Sequence, residues 1–493
     1  MTELPSAWVL CAIGDVLAPV KMTGKDEPDR EIWYVDISSI DNQTNRITDP
    51  KRLQFSEAPS RARQKIAGGD VLFSTVRPYL RKIAAVESKY DGEIASTGFA
   101  VLRGATGIDP KYLLFKAISH DFVSALTGEQ YGVSYPAVKE EQVKAQPLEL
   151  PPTNEQRRIV EKIEAMFDEI AAGIQSLQTA RATLGLYRQS LLKSAFEGRL
   201  TADWRAQNAD NLEAPESLLA RIQKERDTRY KAALDVWQDA LAAWRADGEK
   251  GKKPAKPKRP KDISDLAKSK KSNGFWPTLE LGDIVHVSSG NGLTSKDMKK
   301  GPYPVYGGNG INGYHDEYFL EEEELLIGRV GAKCGVTHIA RPKSWVTDNA
   351  LIVTPLVTSF DKHFFKRLLE TKELNRLGSS TGQPVISGSK IYPVTLELPS
   401  IAEQAEIVRI LDEKLEAADA LEAEIDAALT RADALRQSIL KKAFSGQLVP
   451  QDTDDEPATA LLERIKADRL ERSKGSRPKK ARTTKRKETA NGA

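Results

Sequence analysis

The chain has 493 residues and 40% of them are hydrophobic, so several domains can each bury a core. It contains no run of about eighteen apolar residues and no basic start followed by an apolar stretch, so we predict neither a membrane span nor a secretion signal and expect a cytoplasmic protein. The two cysteines, Cys11 and Cys334, lack a Cys-x-x-Cys spacing, which argues against a disulfide framework or a structural zinc site.

The net charge of +3 conceals two strongly basic segments. Residues 250–261 carry seven basic side chains and no acidic one, and residues 474–487 carry eight basic side chains. Without these segments the chain is formally acidic, so overall charge gives no argument for nucleic-acid binding, which has to come from local clusters. Their composition favours a solvated, disordered linker and tail, with an auxiliary phosphate contact as the alternative.

Residues 1–147 combine short apolar runs with turn signals. Ile32–Ile37, Val71–Phe73 and Phe99–Leu102 are apolar, and Gly68-Gly69 and Arg77-Pro78 mark turns between them. This pattern predicts a globule of mixed α/β (α+β) class.

Residues 148–200 and 396–448 are two copies of one segment, related by a constant shift of 248, with 19 of 53 positions identical. Each copy opens with Leu-Glu-Leu-Pro and a Glu-Gln dipeptide, and continues with apolar residues spaced by threes and fours. The spacing predicts a long helix with one apolar stripe, roughly 60 Å long for about forty residues. We predict that the two helices pair as an antiparallel coiled coil with pseudo-two-fold symmetry; packing of each helix on its own domain is the alternative.

Further repeats lie outside the long helices. Leu218–Ile222 matches Leu461–Ile465, which predicts a short helix after each long one, and Trp8 with Gly14-Asp15 recurs as Trp276 with Gly282-Asp283. Between Tyr230 and Ala246 a helical stretch places Trp237 and Trp244 on one face, most simply as packing residues. The predicted divisions are globular domains at 1–147 and 272–395, helical spacers at 148–200 and 396–448, a helical insert with a basic linker at 201–271, and a short helix with a basic disordered tail at 449–493.

Motifs for catalysis are missing from the sequence. It contains no Gly-x-x-x-x-Gly-Lys-Ser/Thr, no His-Glu-x-x-His and no Asn/Asp-Pro-Pro-Tyr segment. Gly308–Gly313 fits a dinucleotide-binding spacing, but no apolar strand precedes it and no helical pattern follows it. We therefore predict no catalytic residue, no metal and no cofactor on this chain, and expect catalysis in another subunit.

Sequence reading in DNA needs polar side chains at base edges, held in place by phosphate contacts. Two segments in each half supply them. The candidates are Ser74, Arg77, Tyr79, Arg81, Lys82, Tyr131 and Ser134 in the first half, and Asn309, Asn312, Tyr314, His315, Ser379, Ser380, Thr381 and Gln383 in the second. Surface salt bridges are the alternative for the first half, and a series of tight β-turns is the alternative for Tyr306–His315.

The duplicated Leu-Pro, Glu-Gln and long helix, together with Trp-x5-Gly-Asp at Trp8 and Trp276, resemble the specificity subunit of type I restriction-modification systems. Pro304–Gly310 also looks like a common recognition-domain sequence, and the resemblance covers nearly the whole chain except the insert Tyr230–Lys271 and the basic tail. It implies two target recognition domains that each read one half of an asymmetric, bipartite site in double-stranded DNA, and no enzyme activity.

The resemblance also implies partners. Two modification subunits, which bind S-adenosylmethionine and methylate adenine, would dock on the helices, and two restriction (motor-nuclease) subunits would complete the complex. We expect this docking surface to include Glu155, Gln156, Arg188, Gln189, Glu403, Gln404, Arg436 and Gln437, with local helix capping as the alternative for Glu155 and Glu403. Two rival functions are a coiled-coil adaptor that binds only proteins, and a nuclease or methyltransferase with an unrecognised site.

Overall fold

The structure, a computed structural model, describes residues 4–24, 29–127, 137–263, 275–331, 333–378 and 384–475. The chain divides into two compact units, one formed by Met1–Gln178 with Asp426–Ala493 and the other by Thr179–Ile425. Both units combine strands and helices, so the predicted mixed α/β class is confirmed. None of the helices in the described parts of the chain has the length and apolar character needed to cross a membrane.

The first unit contains several small sheets. Val9–Ala12 pairs antiparallel with Pro147–Leu150, which ties the start of the domain to the residues just before the long helix. The other strands, in sheet order, are Phe99–Leu102, Val71–Ser74 and Ile83–Ala85; Lys51–Gln54, Glu31–Val35, Ile94–Ser96 and Ala62–Lys65; and Ile40–Asp41 with Arg46–Ile47. Val71–Ser74 and Phe99–Leu102 are buried throughout, which explains why they read as continuous apolar runs and not as an alternating pattern.

Helices Pro110–Ile118, His120–Thr127 and Glu140–Lys144 complete this domain. Asp109 caps the first of them, because its carboxylate accepts hydrogen bonds from the backbone N–H groups of Lys111 and Tyr112 at 2.8 and 3.3 Å.

The second unit repeats this plan in modified form. Thr278–Glu280 pairs antiparallel with Thr395–Glu397, as Val9–Ala12 does with Pro147–Leu150. The other strands, in sheet order, are Val285–Ser289, Ala350–Pro355, Glu324–Gly328 and Thr337–Ala340, and then Gly310–His315, Tyr303–Gly307 and Trp345–Val346. Its domain helices are Lys362–Glu370 and Gly388–Ile391, and Asp361 caps the first by accepting from the N–H of Phe364 at 2.8 Å.

The two long helices, Thr153–Phe196 and Ile401–Phe444, have 44 residues each, and the boundary between the units falls within both. In the first unit the guanidinium of Arg436 lies 5.8 Å from the ring centre of Phe167. In the second unit Arg188 forms an ion pair with Glu422 at 2.6 Å. Early residues of one helix thus meet late residues of the other within each unit, so antiparallel pairing is confirmed. Each helix also packs on a domain core through its first turns, as the alternative proposed.

Three further helices follow the long ones: Ala202–Gln207, Pro215–Ala246 and Ala458–Gly475. The repeated apolar residues are buried in the last two of these helices; they are Leu218, Leu219 and Ile222, and Leu461, Leu462 and Ile465. The first of these two helices is not short, because the predicted short helix and the predicted helical stretch Tyr230–Ala246 form one continuous helix of 32 residues. Residues 250–263 do not form the predicted free linker. They return along Pro215–Ala246, because Trp237 and Trp244 bind their backbone carbonyls. Most of the tail predicted to be disordered, residues 476–493, lies outside the described residues.

Candidate nucleic-acid interface

A tryptophan at the start of each domain and a glutamate at the start of the following long helix form a buried hydrogen bond. Trp8 Nε1 donates to Glu155 Oε2 at 2.9 Å, and Trp276 Nε1 donates to Glu403 Oε2 at 2.9 Å. An indole N–H and a carboxylate that leave water together need each other as partners. We call each pair a Trp–Glu joint, because it fixes a domain to its helix.

The neighbouring glutamine holds a second element of the domain. Gln156 Oε1 accepts from the N–H of Asp109 at 2.8 Å, and Gln404 Oε1 accepts from the N–H of Asp361 at 3.0 Å. These aspartates are the caps of the two equivalent domain helices. The amide groups also donate to the carbonyls of the preceding prolines, at 3.1 and 2.9 Å. Each Glu-Gln dipeptide therefore orients a domain on its helix at two points.

The end of a long helix also packs beside each Trp–Glu joint. Gly198 and Gly446 end the two helices with φ of +74° and +72°, a left-handed conformation that favours glycine. A Cβ atom at Gly198 would lie 2.2 Å from the ring of Phe275, and one at Gly446 would lie 2.4 Å from Pro5. The start of one long helix and the end of the other thus meet the same domain within each unit.

These positions correct part of the predicted docking surface. Glu155, Gln156, Glu403 and Gln404 are 1%, 0%, 2% and 0% exposed, so they offer no surface to a partner chain. Helix capping does not describe the glutamates either, because their carboxylates accept from side chains distant in sequence. The duplicated Trp and Glu motifs were the available signal for this role, but sequence alone did not indicate that they touch.

The other four predicted docking residues lie later in the long helices. Arg188 and Gln437 are partly engaged within their units: Arg188 pairs with Asp419 and Glu422, and Gln437 Oε1 accepts from the N–H of His120 at 2.8 Å. Gln189 is exposed, and Arg436 is half-buried beside Phe167. A docking role stays a prediction for these four.

In the first domain the candidate segment Ser74–Lys82 contacts residues Ala137 and Val138. The N–H of Val138 donates to the carbonyl of Thr75 at 2.9 Å, and Val76 forms a β-bridge with Ala137. Both residues come soon after the second candidate segment of this half, which runs from Gln130 to Tyr135. Tyr131 and Ser134 themselves lie outside the described residues.

The second domain repeats this contact at equivalent positions. The N–H of Ile386 donates to the carbonyl of Arg329 at 2.9 Å, and Val330 forms a β-bridge with Val385. The glycine-rich hairpin joins them, since a Cβ atom at Gly308 would lie 2.9 Å from the carbonyl oxygen of Asn349. Ser379, Ser380, Thr381 and Gln383, which precede this contact, lie outside the described residues.

Three first-domain candidates are engaged by their own domain: burial corrects the predicted role of Ser74, whereas Arg81 and Lys82 are half-buried and their role at DNA stays a prediction. Ser74 is 1% exposed and its hydroxyl donates to the carbonyl of Val76. Arg81 donates to the carbonyl of Ile118, burial lowers the pKa of its guanidinium, and Lys82 Nζ donates to the carbonyl of Ile40 at 2.6 Å. Tyr79 remains available at 52% exposed.

Tyr79 is presented by a constrained turn. Arg77 and Arg81 flank the short 3-10 helix Pro78–Leu80 with φ of 51° and 52°, in the left-handed region that L residues seldom occupy. Arg77 is partly exposed. Backbone conformations of this kind persist where surrounding contacts impose them, and they are frequent at binding surfaces.

In the second domain Tyr306–His315 belongs to a hairpin of the strands Tyr303–Gly307 and Gly310–His315, not to a series of tight β-turns. Asn309, Asn312 and Tyr314 are exposed on it. His315 is 4% exposed and its Nδ1 accepts from the N–H of Lys299, so it belongs to the domain interior and is corrected as a base-contacting candidate.

Sequence reasoning missed the loop that meets this hairpin. Arg329 donates to the hydroxyl of Ser289 and the carbonyl of Asp348 at 3.0 and 3.2 Å, and Asp348 and Asn349 are exposed. The alignment of the two copies could have identified it, because Arg329 occupies the place of Thr75 in the first domain. Among the described residues no group of His, Cys, Asp and Glu side chains could hold a metal ion.

Comparison with known proteins agrees with this arrangement. The profile described as "Type I restriction modification DNA specificity domain" matches residues 5–178 and 273–431. The chain belongs to this family. Its role is therefore DNA sequence specificity within a type I restriction-modification system, and it is not itself an enzyme.

Relatives cover most of the chain. It is 25% identical over 360 residues to the type I restriction enzyme EcoDI specificity subunit of Escherichia coli, which covers 70% of this chain and 74% of the relative. It is 26% identical over 496 residues to the StySPI specificity subunit of Salmonella potsdam, covering 95% and 96%.

Solved structures share the fold. The HsdS subunit from Thermoanaerobacter tengcongensis matches with a TM-score of 0.55 and 25% identity over 91% of this chain and 100% of the other. A chain from a structure that describes complex assembly and conformational transition of the type I R-M system matches with a TM-score of 0.67 and 25% identity, over 90% and 99%.

Proposed function

We propose that this chain reads a bipartite, asymmetric DNA target, with residues 1–147 as one target recognition domain and residues 272–395 as the other. The observation that carries the proposal is that both units support their domain in the same way: the same Trp–Glu joint occurs in each, and the β-bridge of Val76 with Ala137 in the first unit recurs as that of Val330 with Val385 in the second. The candidate side chains that are exposed differ between the two domains. Tyr79 is presented in the first unit, and Asn309, Asn312 and Tyr314 in the second. Two domains that are attached to their helices in the same way but expose different side chains suit two different half-sites.

A domain exchange tests this proposal. Residues 1–147 are replaced by the corresponding domain of a related specificity subunit, and the exchanged chain is expressed with its modification subunits. We expect sequencing of methylated DNA to show one new half-site and one unchanged half-site. The reciprocal exchange of residues 272–395 is the matched control and should change the other half. A change of both halves by either exchange would contradict independent readers.

We further propose that two modification subunits dock on equivalent helical surfaces, one in each unit. Tyr187 and Leu435 occupy equivalent positions of the repeat, and both are exposed, at 43% and 50%. The identical Arg-Gln-Ser sequence follows each of them, with Gln189 exposed in one copy. A large apolar side chain beside polar groups is typical of the centre of a protein interface. Because the surface occurs twice, it fits two copies of one partner.

Co-purification tests this docking. Tyr187→Ser should remove one modification subunit, Leu435→Ser the other, and the double variant both. Val236→Ser with Leu421→Ser is the matched control, because these side chains are also exposed, at 69% and 53%, but are not matched by an apolar residue in the other copy. Retention of both partners by the double Tyr187 and Leu435 variant would contradict the proposed surface.

The restriction subunits, also proposed as two copies, would join a complex built on this base, and S-adenosylmethionine would be bound by the modification subunits. Cytoplasmic location follows from the proposed DNA target. A purely protein-binding adaptor is the alternative function, and it is distinguished by a DNA retardation assay of the assembled complex. An adaptor would give no retardation of DNA that carries the methylated motif.

A further inference from the structure

The helix Pro215–Ala246 extends from the core of the second unit. Its buried residues end at Ile222, apart from Leu241 farther along. The chain then reverses through Gly248 and Gly251, which have φ of +72° and +79°. We call residues 223–263 the arm and residues 250–261, which lie on its return path, the basic strip.

Three hydrogen bonds fix the return path along the helix. Trp244 Nε1 donates to the carbonyl of Gly251 at 3.3 Å, Trp237 Nε1 donates to the carbonyl of Pro254 at 3.1 Å, and the N–H of Ile263 donates to Gln223 Oε1 at 3.2 Å. Between the outer two bonds the helix advances by 21 residues, about 31 Å. The return path covers that length with 12 residues, about 2.6 Å each, so it is nearly extended.

The basic strip carries only positive charge. It contains seven Lys and Arg residues and no acidic residue, and within the described chain none of the seven forms an ion pair. Lys253 and Lys256 lie over the rings of Trp244 and Trp237, at 6.0 and 5.6 Å from the ring centres. The other five cations are exposed. The basic strip therefore holds like charges close together along the chain, which costs electrostatic energy until an anion approaches.

We propose that the arm is a second DNA-binding element, in which the basic strip holds the phosphates of a duplex without reading its sequence. This inference rests on the proposed function of the chain as a DNA-binding subunit. It adds a contact outside both recognition domains.

Length and composition favour a duplex as the occupant. The strip spans about 29 Å at about 2.6 Å per residue, somewhat less than one DNA helical turn of roughly 34–36 Å. It is composed of Lys, Arg, Pro, Gly and Ala, so it has none of the Asn, Gln, Asp and Glu side chains that pair with adenine or cytosine edges, and its cations suit phosphates. It also lacks the large apolar side chains that anchor protein interfaces, because both tryptophans face the strip from the helix. Cations without base-reading groups provide position and affinity, not specificity.

The test uses the chain in complex with its modification subunits. The probes are two fluorescein-labelled duplexes of equal length, one with the motif that the complex methylates in cells and one with scrambled half-sites. The variant replaces Lys250, Lys252, Lys258 and Lys261 with Gln, and its matched control replaces the same four with Arg. Lys253 and Lys256 are kept, so that their contacts with the tryptophans remain.

We expect the slope of log affinity against log salt concentration to become shallower by about 2 to 4 in the Gln variant, since each lost phosphate contact removes roughly 0.9. The Arg variant should keep the wild-type slope. Affinity for both duplexes should fall by the same factor, so their ratio is unchanged.

Equal slopes for the Gln and Arg variants would overturn the proposal, as would a loss confined to the motif duplex. Loss of the modification subunits from the Gln variant would make the strip a protein interface and would also overturn it. Failure of the proposed function gives a different result, because the wild-type complex would then not distinguish the two duplexes at all.

Discussion

The two Trp–Glu joints share one geometry but differ in the charge that faces the glutamate. Glu403 Oε1 accepts from Arg205 Nε at 2.8 Å and from the Thr201 hydroxyl at 2.7 Å, so a cation meets the buried carboxylate in the second unit. Glu155 Oε1 accepts from the neutral amide of Gln451 at 2.5 Å in the first unit. Burial accordingly raises the pKa of Glu155. Duplication has preserved the shape of the joint, while its electrostatics have diverged.

The paired helices show the same divergence. Arg188 of the second unit faces two carboxylates of the opposing helix segment, Asp419 and Glu422, at 2.6 Å each. Its counterpart in the first unit, Arg436, lies over the ring of Phe167 and pairs only with Asp433 of its own helix, at 3.7 Å. Identical residues of a repeat therefore need separate experiments, because their partners decide what they contribute.

The largest expected effect comes from removing the tryptophan of either Trp–Glu joint. Trp8→Ala and Trp276→Ala each remove a buried ring and leave a buried carboxyl group with one donor fewer. We expect each to destabilise its own unit by about 3–5 kcal/mol. Hydrogen exchange of peptides that contain Val9–Ala12 and Thr278–Glu280 measures the two units separately. Equal loss of protection in both units from either single variant would contradict two local joints.

Much of the fold was predictable because its signals are local and periodic. The long helices follow from apolar residues spaced by threes and fours, and Val71–Ser74 and Phe99–Leu102 follow from short apolar runs. The long-range pairing of Trp8 with Glu155 was not predictable, since 147 residues separate them and neither residue type reports its partner. The duplicated motifs showed only that both positions matter.

Candidate DNA contacts were harder to predict, because composition does not give the direction of a side chain. Arg81 and Lys82 resemble phosphate contacts in sequence, yet both donate to backbone carbonyls of their own domain. His315 faces inward because alternate residues of a strand point to opposite sides, whereas its neighbour Tyr314 is exposed. A one-residue difference in strand position thus separates a surface residue from a core residue.

The second largest effect tests the electrostatic difference between the two Trp–Glu joints. Glu403→Gln removes the charge that faces Arg205, whose side chain is only 18% exposed, so we expect a loss of about 2–4 kcal/mol in the second unit. Glu155→Gln keeps an acceptor for Trp8 and faces no cation at hydrogen-bond distance, so its cost should stay below about 1 kcal/mol. Urea dependence of hydrogen exchange in each unit measures both. Equal costs would contradict the electrostatic difference.

A smaller effect tests the helix pairs. Arg188→Met should destabilise the second unit by about 1 kcal/mol at low salt, because a partly exposed ion-pair network contributes little. The loss should shrink at about 1 M salt, where charges are screened over roughly 3 Å. Arg436→Met is the comparison variant: Arg436 lies over the ring of Phe167 and has one longer ion pair, with Asp433 at 3.7 Å, so its effect should depend less on salt than that of Arg188→Met. Salt dependence of equal size in both variants would contradict the assignment.

The smallest expected effect is a pH dependence of stability that comes from protonation of the Glu155 carboxyl group. Because burial raises the folded-state pKa of Glu155 above its ordinary value of 4.5, its protonated form is favoured by folding. The resulting stabilisation is complete below about pH 4.5 and is lost as pH rises through the folded-state pKa. Glu155→Gln cannot ionise, so the stability of the first unit in this variant should gain on the wild type between pH 4 and pH 7. Hydrogen exchange of the Val9–Ala12 peptide, corrected for the intrinsic pH dependence of exchange, measures the difference. A wild type that gains on the variant over that range would show that ionised Glu155 is stabilised in the fold, and the two joints would then be electrostatically alike.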